Sequence, residues 1–162
     1  TSVHEYPTSK QMAEIAISTA RVVRLFGFEP KVAFVSHSTF GQPLTSRTKH
    51  IKKAVDILKD KKVDFEFDGD MQPDVALNSE YDELYPFSNI VGKANILIMP
   101  GQHSAAISYK LMKTIGDTKV IGPLLVGLGL PIEIAPLRTS TSELINLASI
   151  AAYSAEKIDY NK

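Results

Sequence analysis

The sequence predicts an α/β domain built on a mostly parallel sheet with helices on both faces. Short apolar runs alternate with amphipathic segments that carry helix-start residues. The run Val-Ala-Phe-Val at 32–35 is continuously apolar, as a parallel strand covered on both sides reads. A second apolar run at 96–99 enters Pro100-Gly101 and a polar turn that opens a helix. That junction aims backbone N–H groups and the positive end of a helix dipole at one point.

The elements follow in order. Thr8 is a helix N-cap, with Gln11 completing a capping box. Met12, Ile15, Thr19, Val22 and Phe26 then recur at helical spacing, and Gly27 marks the stop. The strand at 31–36 leads into a polar loop at 36–43. Ile51, Ala54, Val55 and Leu58 define a second helix with Lys and Arg on its outer face. Val63, Phe65 and Phe67 alternate, which predicts a half-buried strand. Residues 68–89 read as the longest irregular stretch, with one or two short helices and a binding or interface role. After the strand at residue 95 come a helix over 104–115, stopped by Gly116, and strands near 119–121 and 131–134. A last helix begins near Ser140, with Glu143 three residues on and Leu144, Ile145, Leu147, Ala148 and Ala151 on its apolar face.

Length and composition bound the function. The 162 residues suit one domain with a sizeable core. Lys plus Arg and Asp plus Glu balance at 18 each, so no net basic field favours nucleic acid as a partner. Cysteine is absent, which removes disulfides and thiolate nucleophiles and fits a cytoplasmic protein. No apolar run approaches the roughly 20 residues of a membrane span. The start reads as a polar tail or linker without a signal peptide.

Ligands of parallel sheets sit beyond the carboxyl ends of the strands. That rule selects residues 36–41, 100–104, 122–129 and 135–140. His103 and Ser104 stand at a helix start, where hydrogen bonding to a phosphate or acyl carbonyl and plain capping both account for them. Ser36, His37, Ser38 and Thr39 form a hydroxyl-rich loop, with no nearby carboxylate in sequence to orient His37 as in a catalytic triad. Asp68, Asp70 and Asp74 lack the Ca²⁺-loop spacing, and turn formation and capping explain them. No His or Cys pair has zinc-ligand spacing, and no GxGxxG fingerprint is present.

The stretches YPFSNIVGKANILIMPGQHSAAISYK, IGPLLVGLGLP and LINLASIAAY resemble the phosphate acetyl/butyryl transferase family. The wording is nearest to the phosphotransacetylase-like domains at the C-terminus of large bacterial NADP-dependent malic enzymes. The resemblance covers nearly the whole chain. It implies the three-layer αβα, isocitrate/isopropylmalate dehydrogenase-like fold. It also implies that residues 1–162 are the C-terminal portion of such a domain, with its N-terminal half and any malic-enzyme region absent.

Working members of that family carry a Ser-Arg pair that holds phosphate, then an Asp just inside the final helix that helps deprotonate the CoA thiol. Ungapped placement between Pro131 and Asn146 puts Pro136 and Leu137 at the Ser-Arg positions and Glu143 at the Asp position. Pro and Leu offer neither a side-chain donor nor a positive charge. Arg138 is one residue away, with its side chain in a different direction. The resemblance therefore implies a transferase-inactive domain with no catalytic residues of its own and acetyl-CoA as an effector. An active phosphate acetyltransferase and a purely structural oligomerisation domain are the alternatives.

The expected ligand is an acyl-CoA, contacted by Gly101, His103, Ser104, Gly122, Gly127 and Arg138. No cofactor or metal is expected in this chain. NADP and Mg²⁺ or Mn²⁺ belong to the parent enzyme, which converts malate to pyruvate and CO₂. A homo-oligomer, at least a dimer, is expected from the apolar surface an incomplete domain exposes.

Overall fold

The computed structural model describes residues 4–116, 120–128 and 130–157. The chain divides into two compact units, Thr1–Lys110 and Leu111–Lys162.

The first unit is an α/β sandwich. Its elements are α1 (Ser9–Leu25), β1 (Lys31–Val35), α2 (Ser46–Asp60), β2 (Glu66–Met71), α3 (Pro73–Leu77), a 3-10 turn (Ser79–Tyr81) and β3 (Ile96–Ile98). A further helix, α4 (Gln102–Ile115), comes after β3. The three strands are ordered β2-β1-β3, and β1 is parallel to both neighbours. The predicted parallel α/β class is the one that forms.

Side chains alternate across a strand, so β1 serves both faces. Val32 and Phe34 join Ile96 and Ile98 under α1 and α2. Ala33 and Val35 join Met71, Ala76, Ile90 and Ala94 on the other side. All four β1 residues from Val32 to Val35 are 2 % exposed or less, as the continuous apolar run predicts.

The capping box of α1 forms as predicted, with Thr8 Oγ1 accepting the Gln11 N–H at 3.2 Å. Its buried stripe is shifted. Met12, Ala13, Ala16 and Ala20 face the core, whereas Phe26 is 42 % exposed. Three alanines let α1 lie close against its neighbours, a small-residue preference that a search for large apolar residues passes over. The predicted core of α2, Ile51, Ala54, Val55 and Leu58, is buried throughout. Thr45 caps that helix in a reciprocal box with Thr48.

The second strand begins later than the Phe65/Phe67 alternation predicts and runs on through Asp68, Gly69 and Asp70. The irregular stretch after it contains the two short helical turns expected there, α3 and the 3-10 turn.

The second unit holds the last part of α4 and α5 (Thr141–Lys157). The strands predicted near 119–121 and 131–134 do not form among the described residues, and Lys119 lies outside them. Leu124 and Glu133 make an isolated antiparallel bridge. Ile121, Ile132 and Ile134 are about half exposed, at 50 %, 49 % and 53 %. A strand needs a ladder partner as well as apolar residues, and a single bridge supplies too little of one.

Candidate functional site at the carboxyl ends of the strands

In the first unit, β1 and its parallel neighbours send the loops that come after them to one end of the sheet. The loop after β1 is held by a carboxylate that sequence reasoning missed. Asp70 is 2 % exposed and Ser38 1 %. The Ser38 hydroxyl donates to one Asp70 oxygen, and the Gly41 N–H donates to the other at 3.1 Å. The Phe40 N–H donates to the Asp70 carbonyl at 2.6 Å. Gln72 adds two bonds, from its amide N–H to Thr39 Oγ1 at 3.2 Å and from Nε2 to the His37 carbonyl at 2.8 Å. His37 itself is exposed.

Asp68, 6 % exposed, organises the chain on the opposite side of Gly69. It accepts from the Gly69 N–H at 2.9 Å and from the Asn89 N–H and Nδ2 at 2.8 and 3.1 Å. The expectation that Asp68 and Asp70 serve turns and helix caps is therefore corrected. Both sit on β2 and are buried, with their oxygens engaged by donors, as burial of a carboxylate demands. The signal available in the sequence was a period-two run, Phe65, Phe67, Gly69 and Met71, that continues past the first aspartate.

The junction after β3 differs from expectation in a useful way. Helix α4 begins at Gln102, two residues before the predicted start, so His103 and Ser104 lie inside its first turn. Ser104 is not the N-cap. Its hydroxyl donates to the Gly101 carbonyl at 2.9 Å. The Gln102 N–H donates to the Glu5 carbonyl at 3.0 Å. Residues 5–7 thus strap across the helix start. A Cβ on Gly101 would stand 2.8 Å from the Glu5 oxygen, so only glycine accommodates the strap. The Glu5 carboxylate lies 3.6 Å from His103 Nε2, both side chains being exposed.

Beside the strap lies a groove of about 310 Å³, lined in part by Tyr6, Arg47, His50 and Pro100. The Arg47 guanidinium sits 5.8 Å over the Tyr6 ring, and His50 Nε2 lies 3.0 Å from the Pro7 carbonyl. Arg47 and His50 are cation and donor groups near the helix start that the one-dimensional motif could not display, because they come from α2.

In the second unit, Gly122 and Gly127 both adopt positive φ, +128° and +83°. Arg138 is exposed in a turn closed by the Thr139 N–H donating to the Pro136 carbonyl at 3.0 Å. Leu137 projects fully into solvent. Glu133, beside the isolated bridge, has one oxygen buried with no hydrogen-bond partner among the described residues. Partial burial pushes its carboxyl above the usual range, against a Leu125 backbone bond that lowers it. Glu143 forms the predicted capping box. It accepts from the Ser140 N–H at 2.8 Å and the Ser140 hydroxyl at 2.9 Å, and Lys113 Nζ donates to its other oxygen at 3.1 Å. The Ser140 backbone bond first, and Lys113 next, pull its pKa down to about 2.

Gly101, His103 and Ser104 thus cluster in the first unit at the end of β3. Gly122, Gly127 and Arg138 stand on irregular backbone of the second. Among the described residues no group of three or more His, Cys, Asp and Glu is placed to hold a metal, and no helix is long and apolar enough to cross a membrane.

Comparison with known proteins agrees with the pattern of motifs. The chain is 48 % identical to the NADP-dependent malic enzyme of Rhizobium meliloti (strain 1021) over 96 % of its own length and 20 % of that protein. It is 37 % identical to the phosphate acetyltransferase of Clostridium acetobutylicum, over 96 % of this chain and 47 % of that protein. A crystal structure of a phosphotransacetylase from Streptococcus pyogenes superposes with a TM-score of 0.91 at 31 % identity, covering 97 % of this chain and 48 % of that one. The chain thus spans about a fifth of the malic enzyme and about half of the acetyltransferase. The model of the phosphate acetyl/butaryl transferase family matches residues 1–152, and the chain belongs to that family.

Proposed function

We propose that this chain is an acetyl-CoA-sensing, transferase-inactive phosphotransacetylase-like portion of a cytoplasmic NADP-dependent malic enzyme. The fold in that reading is the three-layer, isocitrate dehydrogenase-like one, of which residues 1–162 form the C-terminal portion. The whole protein oxidises and decarboxylates malate to pyruvate with NADP and Mg²⁺ or Mn²⁺. That chemistry belongs to other parts of the protein.

The observation that carries the reading is Pro136-Leu137 where working members have Ser-Arg. At those two positions the turn presents the Pro136 ring and a Leu137 side chain in solvent, neither of which can donate to a phosphate or bring it a positive charge. Glu143 supports the same conclusion. With a pKa of about 2 and both oxygens engaged at a helix start, it is a poor acceptor for a thiol proton near neutral pH.

Acyl-CoA contacts are proposed separately for each unit. In the first, an anion at the start of α4 meets Gly101, His103 and Ser104 after displacing the Glu5 carbonyl, with Arg47 close by. In the second, Gly122 and Gly127 allow close backbone approach and Arg138 supplies charge.

The test uses the full-length protein. Acetyl-CoA should change the rate of malate-dependent NADP reduction, while acetyl phosphate formation from acetyl-CoA and phosphate stays at background. Enzyme-like acetyl phosphate formation would favour the second reading, an active acetyltransferase, which the Clostridium similarity keeps open. No response to acetyl-CoA would leave a structural role. Ser104→Ala reads the first unit's contacts and Arg138→Ala the second's. Unchanged acetyl-CoA affinity in both would remove these residues from the site. Exposed Ile107, Met112, Ile115 and Ile145 also support a homo-oligomer, at least a dimer, through apolar contact that added salt does not weaken.

A further inference from the structure

The chain is neutral overall, but its charge is segregated. Residues 46–62 carry seven Lys and Arg (Arg47, Lys49, Lys52, Lys53, Lys59, Lys61, Lys62) and two acids, Asp56 and Asp60. Residues 63–92 carry eight Asp and Glu and no Lys or Arg. Four of those acids are already engaged, two in ion pairs at the surface and two by burial. Asp64 pairs with Arg24, Glu66 pairs with Lys31, and Asp68 and Asp70 are buried. Asp74, Glu80, Asp82 and Glu83 form no ion pair among the described residues.

The fold places these two blocks on opposite faces of the sheet. Ile51, Ala54, Val55 and Leu58 pin α2 onto the Val32/Phe34 face. Helical spacing therefore turns Lys49, Lys52, Lys53 and Lys59 outward, and none of them forms an ion pair among the described residues. Ala76 and Ile90 pin the acidic segment onto the Ala33/Val35 face, leaving Asp74, Glu80 and Glu83 exposed. A sheet and a helix about 10 Å across lie between the faces. That exceeds a Debye length of about 8 Å at physiological salt, so the faces do not neutralise one another within one copy.

We propose that a second copy of this chain docks its basic α2 face onto the acidic 74–83 face of the first. The two faces are complementary in sign. Nucleic acid fits less well, because a polyanion would engage the basic face alone and leave the acidic 74–83 face without a partner. Such a contact is heterologous, with different surfaces on the two copies, so it generates rings or chains beyond any symmetric apolar dimer. It is also salt-sensitive, whereas apolar association is not.

Sedimentation velocity of the full-length protein tests this without reference to acetyl-CoA. The higher-order species should weaken by roughly tenfold or more when salt rises from low ionic strength to about 1 M, where the Debye length falls to about 3 Å. A basic-face variant, Lys49→Glu/Lys52→Glu/Lys53→Glu, should lose the association. An acidic-face variant, Asp74→Lys/Glu80→Lys/Glu83→Lys, should lose it too. Mixed together, the two variants again present opposite faces and should associate, which misfolded proteins would not do. The proposal is overturned if association is insensitive to salt, if either variant assembles like wild type, or if the mixture stays dissociated. Loss in the basic-face variant alone would mean that the α2 face meets some surface of the second copy other than the 74–83 face, and would equally overturn it.

Discussion

At the scale of single residues, the carboxyl edge of the sheet depends on Gly69 and Asp70. Gly69 adopts φ +149°, and a Cβ there would lie 2.6 Å from the Phe34 carbonyl oxygen and 2.7 Å from Phe34 Cβ. Both neighbours belong to a fully buried residue of the paired strand, so neither can yield cheaply. Gly69→Ala should therefore cost about 1–3 kcal/mol, the usual range for overpacking. A urea midpoint within error of wild type would count against this reading. Asp70→Ala leaves a buried Ser38 hydroxyl and the Gly41 N–H without their acceptor. It should cost about 1–3 kcal/mol and loosen the loop at 36–41, which amide exchange in that loop would register. The period-two run through Met71 carried the strand, but not these two roles. Asp and Gly are poor strand formers in isolation, so Asp-Gly-Asp reads as a turn until the donors of Asn89, Ser38 and Gly41 are seen around it.

At the scale of elements, what was local was legible and what was relational was not. The boxes at Thr8/Gln11 and Ser140/Glu143 need only four consecutive residues, and both form. The buried stripe of α1 depends on how near its neighbours stand, so its alanines were passed over. The start of α5 has a measurable electrostatic signature. The Glu143 carboxyl is held at about 2, below its ordinary value of 4.5, by the Ser140 N–H and then by Lys113. A depressed folded-state pKa stabilises the helix start fully above about pH 4.5 and loses that contribution as pH falls towards 2. A carbon-detected titration of Glu143 should show its midpoint near 2. Lys113→Met should raise the midpoint part of the way toward the ordinary value, and added salt should shrink the Lys113 share. A wild-type midpoint at the ordinary value would remove the capping-plus-ion-pair account.

At the scale of the whole molecule, burial is unevenly distributed between the two units. In the first, β1 is sandwiched between two apolar clusters that include Phe34, Met12, Ile51 and Leu58, each 1 % exposed or less. In the second, Leu147 is the buried apolar residue among those described, while Leu128, Leu130, Ile132 and Ile134 are between 46 % and 65 % exposed. An apolar run in a sequence states that burial is wanted without naming what supplies it. This is why the sequence predicts strands near 119–121 and 131–134 that form no ladder among the described residues, although β1 was read correctly. Local stability tracks the density of buried apolar contact and of protected backbone hydrogen bonds. Amides of β1 and of the inward faces of α1 and α2 should therefore exchange most slowly in residues 1–162. Those at 120–140 should exchange through local opening, orders of magnitude faster. In a larger assembly that covers the exposed leucines and isoleucines, protection at 120–140 should rise while that of β1 changes little. Uniform protection across both units of the isolated chain would mean that the second unit gains stability from something other than buried apolar area.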